Sequence, residues 1–288
     1  MSGAPDLLYV RARAALLDAA EALAEQLDAV VLVGAQAVYL HTGDADFVAA
    51  APYTTDADFC IAPAHLNDTP PLDELLAAHG FSPREQPGQQ PGQQPGQQPG
   101  AWLSPDGIPV DLMVPKALAG AGTRGARLGP HGKRVARQAK GLEGALVDRK
   151  RMEIASLERN DDRSVVMSVA GPAALLVAKV HKIAERRTGD RVSDKDALDV
   201  LRLLQAIDTA TLAARLVDLA DDTVSAEVAD EAVSQLEPLF GSPNAVGISM
   251  AVRAARADAE ADMISASFTT LVSDLLAAYQ CRLRGNRL

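Results

Sequence analysis

The chain has 288 residues, of which 48% are apolar and 23% are charged, and its formal net charge is −10. This composition excludes gross disorder and is ordinary for a globular protein, while the length favours two domains over a single core. The negative charge argues against general affinity for nucleic acid or anionic membranes, although a local basic patch remains compatible with it.

The sequence also bears on the compartment. No apolar run approaches the roughly 18 residues of a membrane helix, and charged residues interrupt the N-terminal segment where a secretory signal would lie. The two cysteines, Cys60 and Cys281, are far apart and form no zinc-binding pattern. We therefore expect a cytoplasmic protein with no membrane partner.

The first part of the chain alternates helical and strand patterns. Residues 7–27 carry apolar side chains at helical spacing, residues 29–33 read as a short buried strand that ends at Gly34, and residues 35–41 are helical again. A loop leads to a second strand at residues 56–61. This alternation predicts an α/β layer.

A short helix and a repeat follow. Asp68 is expected to cap a helix that starts at Pro70 or Pro71, and Gly80 to end it. From Pro87 to Gly100 the tetrapeptide PGQQ occurs three times before a final PG. Because this composition has no apolar face, residues 86–100 are predicted to form a flexible surface insertion at the tip of a hairpin.

The remaining chain separates into a basic and an acidic part. Nine Lys or Arg and two acids lie between Arg124 and Arg151, a local charge of +7, whereas fifteen acids and eight bases follow from Val192 onward. Strands are expected around Ala145 and Val165, and helices from Pro172 to the end. The sequence thus predicts an α/β (α+β) N-terminal domain with a mixed β-sheet at 1–168 and an α-helical domain at 169–288.

Three aspartates in apolar surroundings are candidates for chemistry. On a strand, Asp56 and Asp58 would project to one face while Ala57 and Phe59 point into the core. Two adjacent carboxylates repel each other unless a cation lies between them, and Mg²⁺ prefers such hard oxygen ligands. Asp111, a lone acid in IPVDLMV, is a third candidate for a two-metal phosphoryl-transfer site.

An alternative is that the first aspartate pair serves structure only. An aspartate beside two threonines is often a turn or cap residue. The turn at Gly34 and Ala35, where a strand runs into a helix whose N-terminal amides could receive a phosphate, favours the functional alternative.

These motifs together resemble the DNA-polymerase-β-type nucleotidyltransferase superfamily. The resemblance rests on a strand, Gly34–Ala35 and a helix, then TTDADF and PVDLM. Further on, AKVHKIAERR and DKDALDVLRLL look like later motifs of its AbiEii-like branch, the nucleotidyltransferase toxins of toxin–antitoxin pairs. In place of the family's usual GG or GS this chain has Gly34–Ala35, and twenty residues separate Ala35 from Asp56.

The resemblance implies roles for individual residues. Asp56 and Asp58 would bind Mg²⁺, Asp111 would complete the site or activate the acceptor, and Gly34 would let nucleotide phosphates approach the backbone. The other residues implied in nucleotide binding are Ala35, Lys179, Lys182, Arg186, Asp196 and Asp199. The three cations share one helical face, and the two later aspartates either orient Lys179 or Arg186, or cap and solubilise a helix beginning near Ser193.

The expected activity is Mg²⁺-dependent transfer of NMP from an NTP to an acceptor, with an antitoxin protein as partner if the chain is a toxin. The basic segment indicates an RNA acceptor such as tRNA, bound by Lys133, Arg134 and Arg137. Three alternatives stay open: a solvated basic loop, transfer to a small molecule or protein, and a non-catalytic binding module of the same fold. The helical half could also be chiefly a protein interface.

Overall fold

The computed structural model describes residues 6–43, 53–86, 96–185, 191–256 and 258–285. Its N-terminal part is a mixed β-sheet with helices, and the region that follows is all-helical. The N-terminal helices are α1 (Leu7–Ala22), α2 (Gly34–Thr42) and α3 (Leu72–Ala78). The strands are β1 (Val30–Val33), β2 (Ala57–Ile61), β3 (Ser82–Gln86), β4 (Gly96–Leu103), β5 (Pro109–Pro115), β6 (Arg137–Ala139), β7 (Arg149–Ala155) and β8 (Ser164–Ala170).

The strand order across the sheet is β3-β4-β5-β2-β1-β8-β7, and the short β6 pairs with β5 beside β4. Strand β2 runs antiparallel to β1 and parallel to β5, while β4 runs antiparallel to both β3 and β5. Strand β1 is buried along its whole length, as expected for an apolar strand in the middle of a sheet. The predicted mixed sheet is therefore confirmed.

The described part of the C-terminal region is helical: α4 (Pro172–Glu185), α5 (Arg191–Ala206), α6 (Thr209–Asp221), α7 (Ala226–Phe240), α8 (Val246–Ala255) and α9 (Ala261–Gly285). Helix α4 begins at the predicted proline, and the Asp148 carboxylate accepts hydrogen bonds from the Ala173 and Ala174 amides at its first turn. Helix α5 packs against α4 and α8, and α6 packs against α9. No helix in the described ranges is both long and apolar enough to span a membrane.

The contact pattern divides the chain into two compact units. The sheet unit comprises Met1–Gln36, Tyr53–Ala139 and Lys150–Val169. The helical unit comprises Ala37–Pro52, Lys140–Arg149 and Ala170–Leu288. A single division after residue 168 thus omits two earlier segments that belong with the helices.

Two local predictions were wrong. Helix α3 begins after Pro71 without a side-chain cap from Asp68; the Leu72 amide donates instead to Nδ1 of His131 at 3.1 Å. The segment around Ala145 is a 3₁₀ turn (Glu143–Leu146) that packs on α4. Gly144 before this apolar stretch and Asp148 after it are both disfavoured in strands.

The β3–β4 hairpin contains the end of the PGQQ repeat. Strand β4 begins inside the repeat, so residues 96–100 belong to the sheet, while residues 87–95 lie outside the described residues. Gly100 adopts a φ of +75°, and its amide donates to the carbonyl oxygen of Arg134 at 2.9 Å. A Cβ at this position would overlap the Arg137 amide nitrogen and the Leu112 carbonyl oxygen. The last glycine of the repeat therefore lets three backbone segments come together.

We expect Gly100→Ala to destabilise the sheet unit by more than Gly107→Ala. Gly107 has a similar φ of +73° but no atom near its Cβ position, so its substitution isolates the left-handed backbone cost of about 1–2 kcal/mol. Urea unfolding followed by the fluorescence of Trp102, the single tryptophan, measures both variants. Equal midpoints for the two variants would contradict the packing role of Gly100.

Candidate active site

Asp58 and Asp111 lie side by side on neighbouring strands. In the parallel β2–β5 pair, Asp58 is in register with Asp111, so their Cα atoms are separated by about one strand spacing, roughly 4.8 Å. Both are half-buried, whereas Ala57 and Phe59 on either side of Asp58 are fully buried, as the strand alternation predicted. Because residues in register share a face of the sheet, the two carboxylates project to the same side.

Gly34 lies next to this carboxylate pair. Val33, the last residue of β1, is in register with Asp58, so the chain turns into α2 beside the Asp58 side chain. Gly34 has a φ of +71°, and a Cβ on it would lie 2.8 Å from Cγ of Asp58 and overlap the carboxylate. The immediate physical reason for glycine here is the close approach of Asp58 to the turn.

Asp56 directly precedes β2 and has hydrogen-bond partners of its own. Its carboxylate accepts a hydrogen bond from the Thr54 hydroxyl, and its carbonyl oxygen accepts one from Nε2 of Gln36 at 2.9 Å. Gln36 is buried and also accepts from the Arg13 guanidinium at 2.9 Å. The turn contact with threonine that the structural alternative predicted is thus present, and a buried polar network fixes this end of the strand.

Arg137 is bound to Asp111. Its Nη2 and Nε atoms lie 3.0 and 3.3 Å from the same oxygen, Oδ2, and about a third of the Arg137 side chain is exposed. Arg137 is in register with Met113, two residues beyond Asp111 on β5, and so extends along the same face of the sheet. The guanidinium therefore neutralises part of the negative charge of the aspartate pair.

The structure aligns two of the three predicted metal-binding aspartates. Within the described ranges, no group of three or more His, Cys, Asp or Glu side chains is arranged to hold a metal ion. A site made by Asp56, Asp58 and Asp111 together accordingly stays a prediction. The protein has at this place a carboxylate pair, Asp58 and Asp111, with the Gly34 turn on one side and Arg137 on the other.

No protein-family model matches the chain, and comparison with curated proteins found no similar sequence. The nucleotidyltransferase resemblance thus remains a hypothesis that depends on the motifs themselves. The structure adds one geometric observation to these motifs. Strand β1, the Gly34 turn, Asp58 and Asp111 lie together in the sheet unit.

The sheet separates the three predicted RNA-binding residues. Ala101 is in register with Asp111, so Trp102, the next residue of β4, points to the opposite face. Lys133 and Arg134 are exposed and line a groove with Trp102, whereas Arg137 contacts Asp111. Only Arg137 of the three therefore belongs to the aspartate pair's side of the sheet.

The later motif residues meet inside the helical unit. The Lys179 ammonium on α4 donates to Oδ1 of Asp196 and to Oδ2 of Asp199 on α5, both at 2.7 Å. All three side chains are at most 6% exposed. These contacts agree with the alternative in which the aspartates orient Lys179. The same ion pairs connect α4 with α5.

Two further cations surround the pair of buried aspartates. Lys182 lies 3.2 Å from Asp196 and is 42% exposed, while Arg202 donates to Asp199 at 2.8 Å and lies over the ring of Tyr39. Burial alone would lower the pKa of Lys179, but the charges and hydrogen bonds of Asp196 and Asp199 outweigh burial and raise that pKa. Lys179 is consequently a permanent cation. Arg186, the third cation predicted on this face, lies outside the described residues.

Sequence reasoning missed four residues that hold these sites. Gln36 and Arg13 fix the start of β2, and Arg202 and Tyr39 extend the buried cluster. A polar residue on the apolar stripe of a helix was the available signal for Gln36 and Arg202. Nothing local indicates Arg13 or Tyr39, because their partners lie far away in the chain.

Proposed function

We propose that the chain is a Mg²⁺-dependent nucleotidyltransferase that transfers NMP from an NTP to an acceptor. The observation that carries this proposal is the register of Asp58 with Asp111 beside the Gly34 turn. A carboxylate pair that shares one face, next to a glycine turn at the start of a helix, is suited to hold a cation together with phosphate oxygens.

The donor set fits Mg²⁺. This ion is usually bound by one or two carboxylates, with substrate phosphates and water completing its octahedron, so Asp58 and Asp111 suffice on the protein side. When bound, Mg²⁺ would offset the charge that develops on the transferred phosphoryl group. In the reaction, an acceptor hydroxyl oxygen would bond to the α-phosphorus and release its proton to solvent, while the bond between the α-phosphorus and the oxygen bridging to the β-phosphorus breaks and pyrophosphate leaves.

The protein residues contribute orientation and charge. Arg137 donates two hydrogen bonds to one oxygen of Asp111 and so fixes the position of that carboxylate. Asp58 is fixed against the Gly34 turn. Asp56, with its carbonyl held by Gln36, remains the candidate third ligand.

RNA is the acceptor class that the surface charge supports best. Lys133 and Arg134 are exposed, and neither side chain forms an ion pair with another residue in the described part of the chain. Exposed cations without partners are what a phosphate backbone requires even on an acidic protein. The toxin role and an antitoxin partner, which the resemblance implies, stay predictions. Nucleotide binding by the later motif residues also stays a prediction; these are Lys179, Lys182, Arg186, Asp196 and Asp199.

The direct test incubates the protein with Mg²⁺, each α-labelled NTP in turn and total tRNA. We expect label to enter RNA with at least one NTP, and EDTA to abolish the transfer. Asp58→Asn and Asp111→Asn should each reduce the rate by about 100-fold or more, because the electrostatic stabilisation of the transferred group is lost.

The matched control is Asp68→Asn, which neutralises an exposed aspartate of the same unit and should transfer at the unaltered rate. Transfer that survives both site variants would refute the assignment of the carboxylate pair. NTP binding without transfer to any acceptor would instead support the non-catalytic module. A steep fall of activity with salt indicates RNA, whereas a small neutral acceptor gives almost no salt dependence.

A further inference from the structure

The sheet unit contains a groove on the face opposite the aspartate pair. It has a volume of about 540 Å³ and lies between α3, the β3–β4 hairpin and the basic segment that precedes β6. Pro83 and Trp102 are in register on β3 and β4, so they share this face of the sheet. The volume is within the range of sites that hold a nucleotide-sized ligand.

Two adjacent cations form one wall of this groove. Lys133 and Arg134 are exposed, while Trp102 and Val135 beneath them are buried. Asp73 is the one acid among the residues that line the groove, and its carboxylate accepts a hydrogen bond from the Glu74 amide. The groove thus combines an apolar floor with a net positive wall.

The backbone that carries the two cations is fixed to the sheet. The indole Nε1 of Trp102 donates to the Val135 carbonyl oxygen at 3.0 Å, and the Arg134 carbonyl oxygen accepts from the Gly100 amide. On the other side of the segment, Nδ1 of His131 accepts from the Leu72 amide at the start of α3. The wall is therefore held at both ends before any ligand arrives, which lowers the entropic cost of binding.

We propose that this groove binds a single-stranded segment of the RNA acceptor, with Lys133 and Arg134 on consecutive phosphates and a base edge against the apolar floor. A positively charged groove that tracks the phosphate backbone is typical of single-strand binding; Trp102 is 3% exposed and contributes to the apolar floor rather than to a stacking surface. The proposal rests on the proposed function for the identity of the ligand. It places acceptor docking on the opposite face of the sheet from Asp58 and Asp111.

Trp102 makes the test direct, because it is the single tryptophan of the chain and it lines the groove. The full chain is titrated with a short unstructured oligoribonucleotide in EDTA and without NTP, and the tryptophan emission is recorded. We expect a saturable change in emission. The double variant Lys133→Ala/Arg134→Ala should bind about tenfold or more weakly at low salt, and its log–log salt slope should be smaller by about 1.4.

A charge-matched control separates the groove from general electrostatics. Lys150→Ala/Arg159→Ala removes two exposed cations from β7 and the turn after it, at the other edge of the sheet. This variant should bind like the wild type. Equal weakening in the two double variants, or an equal emission change with an acidic peptide that competes with the RNA, would overturn the inference.

Failure of this inference is distinguishable from failure of the proposed function. One outcome is label transfer that depends on Asp58, together with RNA binding that is insensitive to Lys133 and Arg134. This outcome would refute RNA binding in the groove and would leave the proposed enzymatic activity supported. The opposite outcome is RNA binding that depends on Lys133 and Arg134, with no transfer from any NTP. It would refute the proposed enzymatic activity and would leave RNA binding in the groove supported.

Discussion

Replacing Lys179 with methionine is expected to lower the free energy of unfolding of the helical unit by about 3 kcal/mol or more. The substitution leaves two carboxylates, each no more than 4% exposed, facing each other without the ammonium between them. Removal of one partner from a buried ion pair costs this much because the remaining charge stays desolvated. Lys182 and Arg202 still contact one aspartate each, which keeps the expected loss at about 3 kcal/mol, the lower end for a buried pair.

Urea unfolding followed by circular dichroism at the helical band measures this effect. Arg284→Met, at an exposed position of α9 in the same unit, controls for the loss of a cation and should shift the midpoint little. Adding Asp196→Leu to Lys179→Met should recover part of the stability, since one orphaned carboxylate is then gone. Unchanged stability in Lys179→Met would mean that the cluster does not crosslink α4 and α5 and that the lysine is available for a ligand.

The sequence predicted those parts of the sheet unit that depend on local patterns. The apolar run before Gly34, the strand that contains Asp58, the hairpin around the repeat and the helix start at Pro172 all have signals within a few residues. Glycine, proline and strict alternation act over this range. The proximity of Gly34 to Asp58 was implied only by the family resemblance, because it depends on the pairing of β1 with β2.

Long-range pairing was not available from the sequence. The register of Asp58 with Asp111 depends on β5 adding to β2 rather than to another strand, and no residue in either strand encodes that choice. The same holds for Arg137 on Asp111 and for His131 at the start of α3. Both contacts join segments that are distant in sequence and become neighbours only when the sheet assembles.

The buried cluster of Lys179, Asp196 and Asp199 was located from the sequence, but the role of its aspartates could not be decided from the sequence. The spacing of Asp196 and Asp199 on one helical face was visible, and so was the presence of cations on the preceding helix. Burial distinguishes between the two roles considered for Asp196 and Asp199, capping a helix and orienting Lys179. A buried ammonium group is stable only when it is paired, and here both carboxylates pair with it. Burial of a charged residue is a tertiary property that periodicity does not report.

Gly34→Ala should both destabilise the sheet unit and abolish nucleotidyl transfer. The φ of +71° costs an alanine about 1–2 kcal/mol, and overlap of its Cβ with the Asp58 carboxylate raises the expected loss to about 3 kcal/mol. Displacement of Asp58 from its register with Asp111 would separate the proposed metal ligands. Trp102 fluorescence in urea measures the stability, and the labelled-NTP assay measures the transfer.

A double-mutant cycle identifies the cause of the instability. Asp58→Gly removes the atoms that the new Cβ would meet, so Gly34→Ala should cost less in that background, with a coupling of about 1–2 kcal/mol. Gly107→Ala is the control in the same unit, because Gly107 has a φ of +73° and no neighbour near its Cβ position; its loss should reflect the backbone cost alone. A coupling of zero would show that Asp58 does not occupy the space above Gly34, and the carboxylate pair on which the proposed function depends would then need another geometry.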